Sequence, residues 1–132
     1  MPWNESLSVK VSRFDNEHKK LIGLVDELIE AMSQGKGRDI LSETLRELLN
    51  YTVIHFKNEE QAMQKYGYPA YEFHKAQHDE FVNKAMELKE GHENGHTAIS
   101  VTVLHFLNTW VANHIKKTDF EYAAFFKEKG LK

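Results

Sequence analysis

Five histidines and a glutamate stand where an ordinary helical core would carry leucine or valine. His18, His55, Glu59, His74, His78 and His114 each lie in register with apolar residues that recur at three- and four-residue steps, so each is expected to point inward. A buried polar group without a partner costs roughly 1–3 kcal/mol, and an unpaired buried charge several kcal/mol. A single core histidine is easily satisfied by a neighbour. Six such groups on four separate stripes would need an unusually complete polar network, whereas metal ions engage all their lone pairs together. The chain has no cysteine, so any metal must take nitrogen and oxygen ligands, and disulfides, thiolate sites and iron–sulfur clusters are excluded.

Spacing adds detail. His55 and Glu59 are four residues apart, as are His74 and His78, so each pair projects from one helix face and can converge on one centre. His114 and Asp119 are five apart, about 140° on a regular helix, and only a helix end or a bulge between them lets both face inward. From spacing alone Asp119 reads equally well as a helix cap.

Four elements must position these groups. A first stripe runs through Phe14, His18, Leu21, Ile22, Val25, Leu28, Ile29 and Met32, with Ser12 as the expected cap and Gly35-Lys36-Gly37 as the stop. A second helix is expected from about Asp39 to Tyr66, through Leu41, Leu45, Leu48, Thr52, His55, Glu59 and Met63, stopped by Gly67-Tyr68-Pro69. Pro69 suits a first helical turn, and the third stripe follows through His74, His78, Phe81, Ala85 and Leu88 to a loop at residues 91–96. The fourth helix, about Thr97 to Lys117, carries Ile99, Val103, Phe106, Leu107, Trp110 and His114, and a short tail helix from Phe120 to Glu128 follows. The expected fold is all-α: an up-down-up-down four-helix bundle with an N-terminal arm and a short C-terminal helix, one domain over residues 1–132.

Composition sets the outer limits. With 132 residues, a net charge of -3 and a pI near 6.2, nothing favours nucleic acid or anionic lipid. No basic leader opens the chain and no run of about 18 apolar residues occurs, so membrane insertion and export are not expected; a cytoplasmic monomer is.

The segments Asp15-x-x-His18, His55-Phe56-x-x-Glu59-Glu60, Tyr68-Pro69, His74-x-x-x-His78-x-x-Phe81 and Trp110-x-x-x-His114-x-x-x-x-Asp119 resemble the hemerythrin family, in particular its single-domain bacterial members. The opening Trp3-Asn4-Glu5-Ser6-Leu7-Ser8-Val9 is similar to the family's N-terminal arm, which extends the match over about residues 3–126. Lys10, where many relatives have a small residue, and Val111, where leucine is frequent after the tryptophan, depart from the pattern. The resemblance implies two iron ions, ferrous or ferric, joined by an oxo or hydroxo bridge. His74, His78 and His114 would hold one ion, His18 and His55 the other, with Glu59 and Asp119 bridging. The ion with two histidines then keeps an open position for dioxygen.

What the resemblance implies is reversible dioxygen binding for transport, storage or delivery, with an oxygen-consuming protein as recipient and no catalytic residues. A sensor of oxygen, redox state or nitric oxide acting through a separate partner, a diiron oxidase or peroxidase, and iron storage are the alternatives. The histidine-rich set differs from the Glu-x-x-His repeats of carboxylate-rich diiron bundles, and no further inward acid or base suggests substrate chemistry. His92, His96, His105 and Glu60 read as surface residues, and Tyr51, Trp110, Ile22 and Phe56 as aromatic and aliphatic packing beside the site.

Overall fold

The computed structural model describes residues 3–35, 38–93 and 101–132. A 3-10 turn, Glu5–Leu7, leads into α1 (Ser12–Ser33), α2 (Arg38–Tyr66), α3 (Tyr71–Glu93) and α4 (Val101–Asn113). α4 continues without a break through a π-helical turn, His114–Asp119, into α5 (Phe120–Glu128). α1 packs on α2 and α4, and α3 on α2 and α4, which closes an up-down-up-down four-helix bundle. No strand occurs among the described residues.

Local chemistry explains most boundaries. Ser12 lies inside α1 and does not cap it; the cap position is Val11, which has no side-chain hydrogen bond. Asp15 anchors the arm instead, accepting from the Val9 amide at 2.8 Å and the Ser8 hydroxyl at 2.6 Å. α2 ends in a Schellman motif. Gly67 adopts a left-handed φ of 71°, while the Tyr68 amide donates to Met63 and the Gly67 amide to Gln64. This turn reverses the chain so that α3 returns antiparallel with its histidines facing α2. α3 runs three residues further than expected, through Gly91-His92-Glu93. The expected start of the fourth helix at Thr97, and His96, lie outside the described residues.

The interior is layered along the bundle axis. One apolar cluster contains Leu21, Leu28, Leu45, Leu48, Phe56, Phe81, Leu107, Val111 and Ile115; a second contains Val9, Val11, Phe14, Met63, Tyr68, Tyr122 and Phe126. On α1 and α2 the site residues come between members of the two clusters: Phe14, His18, Leu21 on α1; Phe56, Glu59, Met63 on α2. A slab of histidines and carboxylates is thus sealed by hydrocarbon at both ends. His92 is a correction to the surface reading: it lies within the extended α3 and is only 5% exposed. His105 is exposed as expected.

Candidate metal centre

The structure brings all seven residues singled out in the sequence into this slab. Two groups of donor atoms form, each within 4.8 Å: Glu59, His74, His78, His114 and Asp119 in one, His18, His55, Glu59 and Asp119 in the other. All seven residues are buried. Glu59 and Asp119 belong to both groups.

The five-residue spacing of His114 and Asp119 is resolved by the π turn. Its i→i+5 hydrogen bonds wind the backbone wider than an α-helix, so residues five apart return to one face. His114 Nε2 lies 3.1 Å from Asp119 Oδ1. The bulge, not a helix end, aims both inward.

The contacts suit cations better than they suit one another. Asp119 oxygens lie 2.9 Å from His74 Nε2 and 3.0 Å from His18 Nε2, yet both oxygens, like Glu59 Oε1, are buried without a hydrogen bond. His114 Nε2 stands 3.1 Å from His74 Nε2 and 3.0 Å from His78 Nε2. At most one nitrogen of each facing pair can donate, and the single Nε2 position of His114 cannot make a full hydrogen bond to both neighbours at once. Divalent cations at the two centres would satisfy every donor, which is the chemical fit of this nitrogen and oxygen set to two metal ions.

Protonation in the metal-free protein tells the same story. Burial alone would lower the pKa of His18, but the Asp119 and Glu59 carboxylates raise it to about 10. Burial likewise opposes a charge on His78, and Glu59 with Glu60 raise it to about 9. Burial would raise both Glu59 and Asp119, and the Asp119 charge adds to this for Glu59, yet the histidines around them hold both below the ordinary carboxylate range. Protons stand in for positive charge that the carboxylates demand. His114 is lowered by burial.

Outside the donor set lies a layer the sequence reading missed. His55 Nδ1 meets Glu17 at 2.6 Å, His78 Nδ1 meets Glu60 at 2.8 Å, and His114 Nδ1 meets Gln77 at 3.3 Å. Each bond leaves Nε2 facing the centre. Glu60 is therefore not a surface group: its side chain is 15% exposed and paired. A rule connects the three. Each partner is the chain neighbour of a site residue on one helix and serves a histidine on the next: Glu17 beside His18, Glu60 beside Glu59, Gln77 beside His78. About 100° of rotation per residue turns that neighbour toward the adjoining helix. Tyr122, fully buried, completes the layer by donating its hydroxyl to Glu59 Oε2.

Aromatic rings hold the imidazoles in place. Phe56 stacks on His78 at 3.7 Å between centroids, Trp110 on His114 at 4.4 Å, and Tyr122 on His74 at 5.6 Å. Phe56 and Trp110 thus touch site residues directly, while Ile22 lies in the apolar cluster and Tyr51 packs against its edge beneath Lys20.

Known proteins are similar to this chain over most of its length. The hemerythrin HHE cation binding domain matches residues 9–126. A bacteriohemerythrin of Methylococcus capsulatus is 32% identical over 123 residues, covering 92% of this chain and 93% of that protein. A hemerythrin-like protein of Naegleria gruberi is 32% identical over 120 residues, covering 91% and 88%. A crystal structure of wild-type hemerythrin superposes with a TM-score of 0.89 at 32% identity, covering 94% of this chain and 95% of that one. Ligand-type residues, layered bundle and homology agree, and the chain belongs to the hemerythrin family.

Proposed function

We propose that the protein binds dioxygen reversibly at a pair of iron ions and serves to carry, store or deliver it, without catalysing a reaction of its own. One observation carries this reading: the two donor groups are unequal. Three histidines and two shared carboxylates converge on one side, and two histidines with the same carboxylates on the other. The ion beside His18 and His55 would be one protein donor short, which leaves room for a small exogenous ligand. Iron bound here would supply the reversible electron donation that dioxygen binding needs.

The chain's own residues do the rest. His74, His78 and His114 would hold one ion and His18 and His55 the other, with Glu59 and Asp119 between them. Glu17, Glu60 and Gln77 accept the outer imidazole protons and keep Nε2 available. The two apolar clusters exclude water from the slab, which disfavours charge escape and irreversible oxidation. Histidine-rich ligation, unlike the carboxylate-rich sets of diiron oxidase bundles, supports carriage over substrate oxidation.

Anaerobic reduction, iron analysis and optical spectra before and after oxygen test this directly. Two irons per chain and a visible band that appears with oxygen and vanishes under argon are expected. One iron or none would sink the diiron reading, and rapid irreversible conversion to the diferric form would sink carriage.

A further inference from the structure

The π turn that brings Asp119 beside His114 is braced from outside by one atom. Gln77 Oε1, on α3, lies 2.8 Å from the Thr118 hydroxyl and 3.3 Å from His114 Nδ1. Those two residues occupy the first and fifth places of the six-residue turn, and the ligand-type residues His114 and Asp119 occupy its first and last. We propose that Gln77 is a positioning residue: its amide oxygen, locked by Thr118, fixes the tautomer of His114 and pins the π turn to α3. This rests on the reading of the slab as a metal centre.

Proton bookkeeping requires it. His114 Nε2 faces His74 Nε2, His78 Nε2 and Asp119 Oδ1, all within 3.1 Å, so as a metal donor it must carry a lone pair, and the ring proton must sit on Nδ1. Nδ1–H then needs an acceptor. Only the oxygen end of the Gln77 amide serves, because its NH2 end would oppose the ring proton donor to donor. Thr118, donating to the same oxygen, adds a second preference for that amide orientation.

The brace also differs in kind from its counterparts. His55 and His78 are backed by the carboxylates of Glu17 and Glu60, whereas His114 is backed by a neutral amide. It also borders a solvent cleft: Gln77, Trp110, His114 and Thr118 line an open space of about 560 Å³. Water in that cleft competes for Nδ1–H, and the lock by Thr118 keeps the amide ahead of it.

Two measurements test the proposal on the full chain. In metal-free protein labelled with 15N in its imidazoles, His114 should be the Nδ1-protonated tautomer; Gln77→Met, similar in length and lacking the acceptor, should lose that preference. Anaerobic titration with ferrous iron should show Gln77→Met binding one of its two ions about 10- to 100-fold more weakly, the usual scale for an outer hydrogen-bond partner of a ligand. Thr118→Val should shift both readouts in the same direction by less, Thr118→Ser should restore them, and Gln77→Glu, which keeps an acceptor oxygen, should keep the tautomer. If Gln77→Met retains the Nδ1–H tautomer and wild-type iron affinity and merely melts earlier, Gln77 is a packing residue and the proposal falls. A wild-type chain that binds no iron pair would overturn the diiron reading instead, and the tautomer measurement would still decide the role of Gln77.

Discussion

Glu59 sits at the crossing of the site. It approaches His18 and His55 at 3.3 Å and His78 at 3.4 Å, and it takes the Tyr122 hydroxyl from the second apolar cluster. Removing that donor in Tyr122→Phe leaves a fully buried carboxylate oxygen less well satisfied, at a cost of about 1–3 kcal/mol. Thermal melting of the metal-free protein should register this loss, while the ring's stacking on His74 persists. An unchanged melting temperature would show that the bond contributes nothing. The two raised histidines make a second residue-scale prediction. His18 and His78 are pushed up to about 10 and about 9, above an unfolded value of about 6.5. Their contribution to metal-free stability is therefore full below pH ~6.5 and lost as pH rises through about 9 to 10. Melting temperature of the metal-free protein should fall across that alkaline window. For the same reason, metal loading near neutral pH should release protons, since a ligating imidazole is deprotonated; a pH-stat titration with ferrous iron that shows none would contradict it.

At the scale of elements, the stripes on α1, α2 and α3 were legible because apolar and polar core residues share one helical period. The link from His114 to Asp119 was not. A five-residue step fits no α-helical face, and the π turn that accommodates it is stabilised by contacts with α3 that no local pattern encodes. Glu60 was misread for a related reason: rotation away from its own helix's core face is rotation toward the neighbouring helix. The arm offers a prediction of its own. Lys10 has a φ of 63°, a conformation that costs a non-glycine residue about 1–2 kcal/mol. Glycine there removes that strain, but it gives back about 0.5–1 kcal/mol through the greater freedom of the unfolded chain. The strain is the larger of the two, so Lys10→Gly should stabilise the protein by about 0.5 kcal/mol net. Denaturant melts with an unchanged m-value and a higher midpoint would verify it; a lower midpoint would refute it.

For the whole molecule, the polar slab between two apolar clusters ties folding to metal. Seven buried polar side chains meet there, and without cations their carboxylates rely on protonated histidines. Iron removal should lower the melting temperature substantially, and equal melting of metal-free and iron-loaded protein would defeat that expectation. No helix among the described residues is long and apolar enough to cross a membrane. The sequence by itself determined the helical class, the four stripes and six of the seven inward groups, because helix periodicity is a local property written residue by residue. It also carried the family resemblance. Only the tertiary structure decided that Asp119 joins His114 across a π turn, that Glu17, Glu60 and Gln77 each serve a histidine on the next helix, and that Tyr122 reaches Glu59. Those contacts depend on how helices are rotated and staggered against one another, a choice made by the packing of whole faces and absent from the period of any one of them.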